Sequence, residues 1–189
     1  MSPTLLVVII VCVVIAAIIL IHNAIIGRFN AVQRAWSDVI AQERQKNKIL
    51  PALEDVAAKY ASHEKQLLEK VTELRQSLTE LSADNIDVKT LSKAEGHMGA
   101  LLKGLTLTVE AYPDLKASET YMKLMREITE QQDNIGAAIR IFNRNVEQFN
   151  NGIEIFPNSI INSMFTRKHT LQVFDDSEAA AGFEYKPNF

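Results

Sequence analysis

The stretch HEKQL, residues 63–67, opens as a zinc-protease helix does, with a histidine beside a glutamate. That chemistry needs a second histidine one helical turn on, because imidazoles at i and i+4 share a face and grip one metal. Position 67 is Leu67, so the second ligand is missing. Glu43, Glu64 and Glu95 raise a different reading, a carboxylate-bridged metal pair inside a helical bundle. Such sites take Glu-x-x-His from two helices, and none of the 4 histidines follows a glutamate at that spacing. Nucleophilic catalysis finds no support either. Cys12 lies in an apolar run, the serines are scattered, and the 7 glycines build no phosphate-cradling loop. The expectation is a chain with no catalytic, metal or cofactor site.

The elements that would position these residues begin with a membrane span. From Leu5 through Ile10 and Ile15 to Ile21 there is no charge, and on to Ile26 only His22 and Asn23 are clearly polar. A helix of about 22 residues covers roughly 33 Å, enough to cross a hydrocarbon core. A cleavable leader would need a basic start and a small-x-small cut site. MSPT carries no Lys or Arg, and no clear site follows. Arg28, Arg34, Arg44, Lys46 and Lys48 crowd the far side of the span. The positive-inside rule then predicts the amino terminus outside and the rest in the cytoplasm. A single cysteine excludes an intramolecular disulfide, and a net charge of −3 gives no reason to expect nucleic acid.

From Phe29 a heptad seam runs through Val32, Trp36, Val39, Glu43, Lys46, Leu50, Leu53, Ala57, Tyr60, Glu64, Leu67, Val71, Leu74, Leu78 and Leu81. No turn cluster interrupts it, so the pattern predicts one long helix continuous with the span and only kinked at Pro51. SADNIDVK, residues 82–89, offers caps and a turn. A second helix is expected from about Asp87 to Tyr112, and a third from about Ser118 to Ile155. A short one should span Asn158 to about Lys168, before an aromatic tail. No strand pattern stands out. The predicted fold is all-α: an anchor over 1–26, an antiparallel long-helix bundle over 27–155, then the short helix and tail over 156–189.

AWSDV, LPALEDVAAKYASHEKQLLEKV, EAYPDLKA and FNRNVEQFNNGIEIFPNSIINSMF together resemble the LemA family of bacterial membrane proteins, in matching order from about Phe29 to Phe165. The resemblance implies a single N-terminal span and an antiparallel helical bundle, with no established enzymatic activity; with the span and its flanking charges, the expected location is the bacterial inner (cytoplasmic) membrane. It departs at Glu43, where the family carries an apolar residue, at Ile40, and at Ala52.

Glu64 reads either as a buried polar contact that fixes register or partner choice, or as a solvated carboxylate paired with a nearby base. Trp36 is most simply a core knob, and His63 and His97 surface residues. A first helix of about 80 Å against a second of about 39 Å leaves Phe29, Val32, Trp36 and Val39 short of internal partners. Phe165, Phe174, Phe183, Tyr185 and Phe189 add apolar area on an irregular segment. These features predict a homo-oligomeric scaffold on the lipid bilayer, with the third helix and tail folding back within one chain as the competing arrangement. The alternative function is an adaptor that binds another membrane protein such as a protease or kinase.

Overall fold

A computed structural model of the chain describes residues 2–60 and 65–175. Within these residues the fold is all-α: α1 (Pro3–Gln45), a 3-10 turn (Lys46–Lys48), α2 (Leu50–Tyr60), α3 (Lys65–Glu80), α4 (Val88–Ala111), α5 (Pro113–Lys116), α6 (Glu119–Glu154) and α7 (Asn158–Ile161), the last running into a π turn (Asn162–Thr166). Two compact units result, one of Met1–Ala35 with Ile141–Val173, the other of Trp36–Arg140 with the chain from Phe174.

Local chemistry sets the breaks. Pro51 lacks an amide hydrogen, so it cannot continue the ladder of α1 but fits the first turn of α2. The helix therefore tightens into the 3-10 turn and resumes, with Leu53 N donating to Ile49 O at 2.9 Å. The expected interruption at Pro51 is thus a local one, with helix on both sides. Asp87 caps α4 by accepting from Lys89 N and Thr90 N, each at 3.1 Å, and the bond from the Thr90 hydroxyl at 2.6 Å, followed by those from the Thr90 and Lys89 amides, holds its carboxyl below the ordinary value. Tyr112, with φ −129 and ψ 83 before Pro113, ends α4. Ser118 Oγ accepts from Tyr121 N at 3.2 Å to start α6.

One expectation is overturned. The helix leaving the span does not run on to Leu81, because α3 returns alongside α2: Arg75 bonds Glu54, and Trp36 Nε1 donates to Ser82 O at 2.9 Å. The heptad phase carries through because both helices face the same core, and periodicity does not record a reversal of direction. Without the uninterrupted helix, the length mismatch disappears too. Val32, Trp36 and Val39 are buried within one chain, so the predicted uncovered stripe near the membrane does not exist.

In the larger unit the end of α1 with α2, then α3, α4 and the first part of α6 alternate in direction as an antiparallel bundle. Glu80 meets Lys93 at 3.3 Å and Lys70 lies against Gly104, which registers α3 on α4. In the smaller unit α6 runs antiparallel to α1, with the Phe29 and Phe149 rings 5.5 Å apart and Arg28 crossing Gly152.

Candidate functional site

Apolar residues fill most of the bundle of the larger unit; apart from Thr108, whose hydroxyl returns to Gly104 O at 2.9 Å, the buried polar side chains of the described residues gather at one level. Glu43 on α1, Lys46 in the 3-10 turn, Glu95 on α4 and Gln132 on α6 are all buried there. Ser77 of α3, likewise buried, falls at the height of Glu95 by the register of α3 on α4. Each helix direction of the bundle therefore contributes a polar side chain to one layer. Lys46, a seam position, opens the tightened turn just before Pro51 and is buried there.

Lys46 Nζ donates to Glu95 Oε1 and lies 2.9 Å from Glu43 Oε2. Gln132 Nε2 reaches the other Glu95 oxygen at 3.4 Å. Ser77 Oγ returns to Leu74 O of its own helix at 2.8 Å. Neither Glu43 oxygen has an aligned hydrogen bond among the described residues. One ammonium can neutralise one carboxylate, and burying a second negative charge beside them is costly. Desolvation accordingly raises Glu43 well above its ordinary value, with Lys46 opposing and the negative Glu95 reinforcing the rise. For Glu95 desolvation is the largest influence and pushes upward, but the attraction of Lys46, the neighbouring Glu43 carboxyl and the bonds from Lys46 and Gln132 outweigh it, so its carboxyl is lowered. Lys46 feels the same desolvation, which lowers it, yet the two carboxylates prevail and it is raised. The favoured state is Lys46 charged, Glu95 charged and the proton on Glu43.

The layer sits inside a recognisable sequence. The LemA family profile matches residues 35–184, well over half of the chain. This chain belongs to the LemA family. It is also similar to Protein LemA of Metamycoplasma hominis, 34% identical over 129 residues. That alignment takes in 67% of this chain and 57% of the relative, so somewhat over half of the relative's length is matched.

The fold places the residues singled out from sequence in distinct surroundings. Leu5, Ile10 and Ile15 are exposed on α1, with Ile21 half-covered. The most apolar 18-residue window of this helix has a mean hydropathy of 3.6 and is 0% buried, long and apolar enough to cross a membrane. Phe29 packs on Phe149, with Lys168 Nζ 3.7 Å above its ring. Trp36 is a core knob whose indole holds Ser82. Phe165 is exposed, whereas Phe174 is 6% exposed and so already consumed by its own chain. Glu64, Phe183, Tyr185 and Phe189 lie outside the described residues. His97, expected at the surface, is half-buried with Nδ1 enclosed. Of the three glutamates weighed for a metal pair, Glu43 and Glu95 do meet, around the Lys46 ammonium. Lys46 was missed as their partner, although Glu43 and Lys46 break an apolar seam at i and i+3 with opposite charges, a signal readable in the sequence.

Proposed function

We propose that this member of the LemA family is a non-enzymatic membrane-anchored scaffold, held by one N-terminal span with its amino terminus outside and its bundle in the cytoplasm, which self-associates and organises membrane or membrane proteins. The observation that carries the non-catalytic part is the fate of the buried charges. Glu43, Lys46 and Glu95 neutralise one another in a sealed layer. A lysine held protonated is a poor nucleophile, and a carboxylate already bonded by an ammonium and an amide has little basicity left for a substrate. What such a layer does well is fix register, since any other alignment of the helices strands a charge in apolar surroundings. A rigid, uniquely registered bundle on a span suits a structural part better than a reactive one.

Self-association rests on the span, whose lipid-length surface is uncovered in a single chain, and no longer on the stripe of Trp36 and Val39. The adaptor reading draws on a shallow groove along α6 lined by Met122, Met125, Arg126, Thr129 and Asp133, where a partner helix could lie. Light scattering after extraction from the native membrane in mild detergent separates the two. A large homomeric particle is expected; a monomer, or a one-to-one complex with another protein, defeats the scaffold reading.

A further inference from the structure

The smaller unit exposes a concentration of apolar side chains in an unusual place. Ile155, Phe156, Ile160, Met164 and Phe165 are 48–79% exposed, and the segment from residue 155 to 166 contains no charged residue. A soluble surface seldom gathers so many large apolar groups without a partner. The position of the segment in the unit identifies the partner.

Because Gly152 lies against Arg28 and Phe149 against Phe29, α6 approaches the span's exit antiparallel to it. The chain beyond Gly152 therefore runs past Arg28 toward the amino terminus of α1. Consistent with that course, one face of α1 loses exposure at helical spacing: Ile25 is buried, and Ile18, Ile21 and His22 are half-covered, while the other faces of the span stay open. Ile18 precedes Arg28 by ten residues, roughly 15 Å along the axis, so the covered stripe lies within the stretch that must sit in lipid.

Two further observations suit a lipid environment. Polar side chains in hydrocarbon must be satisfied by the protein itself. Here Asn158 Nδ2 donates to Gly152 O at 2.9 Å, Asn162 Nδ2 to Lys168 O at 2.9 Å, and Ser163 Oγ to Ile160 O at 2.8 Å, while Thr166 Oγ1 bonds Asn162 Oδ1. Basic residues flank the apolar group at the level of the span's end: Arg28, Arg167 and Lys168, whose ammonium is also over the Phe29 ring. That is the order of an interfacial element, apolar groups toward the acyl chains and cations at the phosphates.

The geometry points to a re-entrant wedge: residues 155–166 dip into one leaflet of a phospholipid bilayer beside the span, so that the chain is held in the membrane at two places. This rests on the anchored reading above. It gives the exposed apolar cluster the same partner as the helix it adjoins.

Full-length protein with Cys12→Ser and one new cysteine, labelled with an environment-sensitive fluorophore, tests the wedge in vesicles of equal parts phosphatidylcholine and phosphatidylglycerol. Phe156→Cys and Met164→Cys probe the wedge, Leu20→Cys the span, and Leu107→Cys an exposed apolar position on α4. Brominated acyl chains should strip most of the emission from labels at 20, 156 and 164 and little from 107, and aqueous iodide should do the reverse. Lipid quenching at 20 with iodide quenching at 156 and 164 overturns the wedge and leaves the anchor standing. Iodide quenching at 20 overturns the anchor and the wedge with it. Labels at 156 and 164 shielded from both quenchers mean that protein, such as a second copy, covers the cluster, and the wedge is again refuted.

Discussion

Replacing Glu43 with glutamine should stabilise this protein, by an amount that grows with pH. Glu43 is 0% exposed and its carboxyl is raised well above the ordinary value of 4.5. A group with a raised folded pKa contributes stability that is complete below the unfolded value and is lost as pH climbs through the folded one. Between the two values the folded chain must hold a proton that the unfolded chain releases, which costs about 1.4 kcal/mol per pH unit. Glutamine keeps the shape and removes that requirement. The E43Q advantage should therefore be small near pH 4.5 and increase by about 1.4 kcal/mol with each unit above it until Glu43 ionises. Lys46→Met should do the opposite: with no ammonium, Glu95 must also hold a proton, so the loss relative to wild type widens at a similar slope of about 1.4 kcal/mol per unit. The assay is equilibrium urea unfolding of the detergent-solubilised full chain, followed through the fluorescence of its single tryptophan, Trp36, buried in the same unit as the layer. An E43Q difference that is constant with pH, or destabilising throughout, would refute the protonated Glu43.

Other outcomes follow from single contacts. Trp36→Phe loses the bond to Ser82 O and leaves a gap in the core, and should cost about 1–3 kcal/mol by the same urea assay. Asp87→Ala removes the α4 cap and should cost about 1 kcal/mol; because the Asp87 carboxyl is lowered, its contribution is present above 3.8 and fades as pH falls below that, so the variant and wild type should converge in acid. Phe174→Ala should cost about 3–5 kcal/mol if the side chain packs within its own chain, with particle size by light scattering unchanged; dissociation without loss of stability argues for packing between chains. Protease added to intact cells should leave the bundle whole, and cleavage beyond Arg28 would reverse the topology.

Much of this molecule could be read from residue order alone. Helix type, the α4 and α6 boundaries, the stop at Tyr112–Pro113 and the apolar span all depend on neighbours within a few residues, where caps, prolines and period act. The seam residues Val32, Leu53, Leu74 and Leu78 are buried for the same reason, since a periodic apolar face must be covered by something. What it is covered by is a matter of long-range pairing. The reversal that returns α3 to α2 left no mark in the heptad, because two helices on one core share its phase, and ASHE between them holds no glycine or proline. Nor does residue order say that Lys46 meets a glutamate 49 positions away, or that the proton belongs to Glu43 and the charge to Glu95. Those assignments are set by burial and by the geometry of four helix directions converging on one level, which exist only once the chain has packed. The wedge divides in the same way: its uncharged composition is written in residues 155–166, but its place at the span's exit comes from α6 running antiparallel to α1.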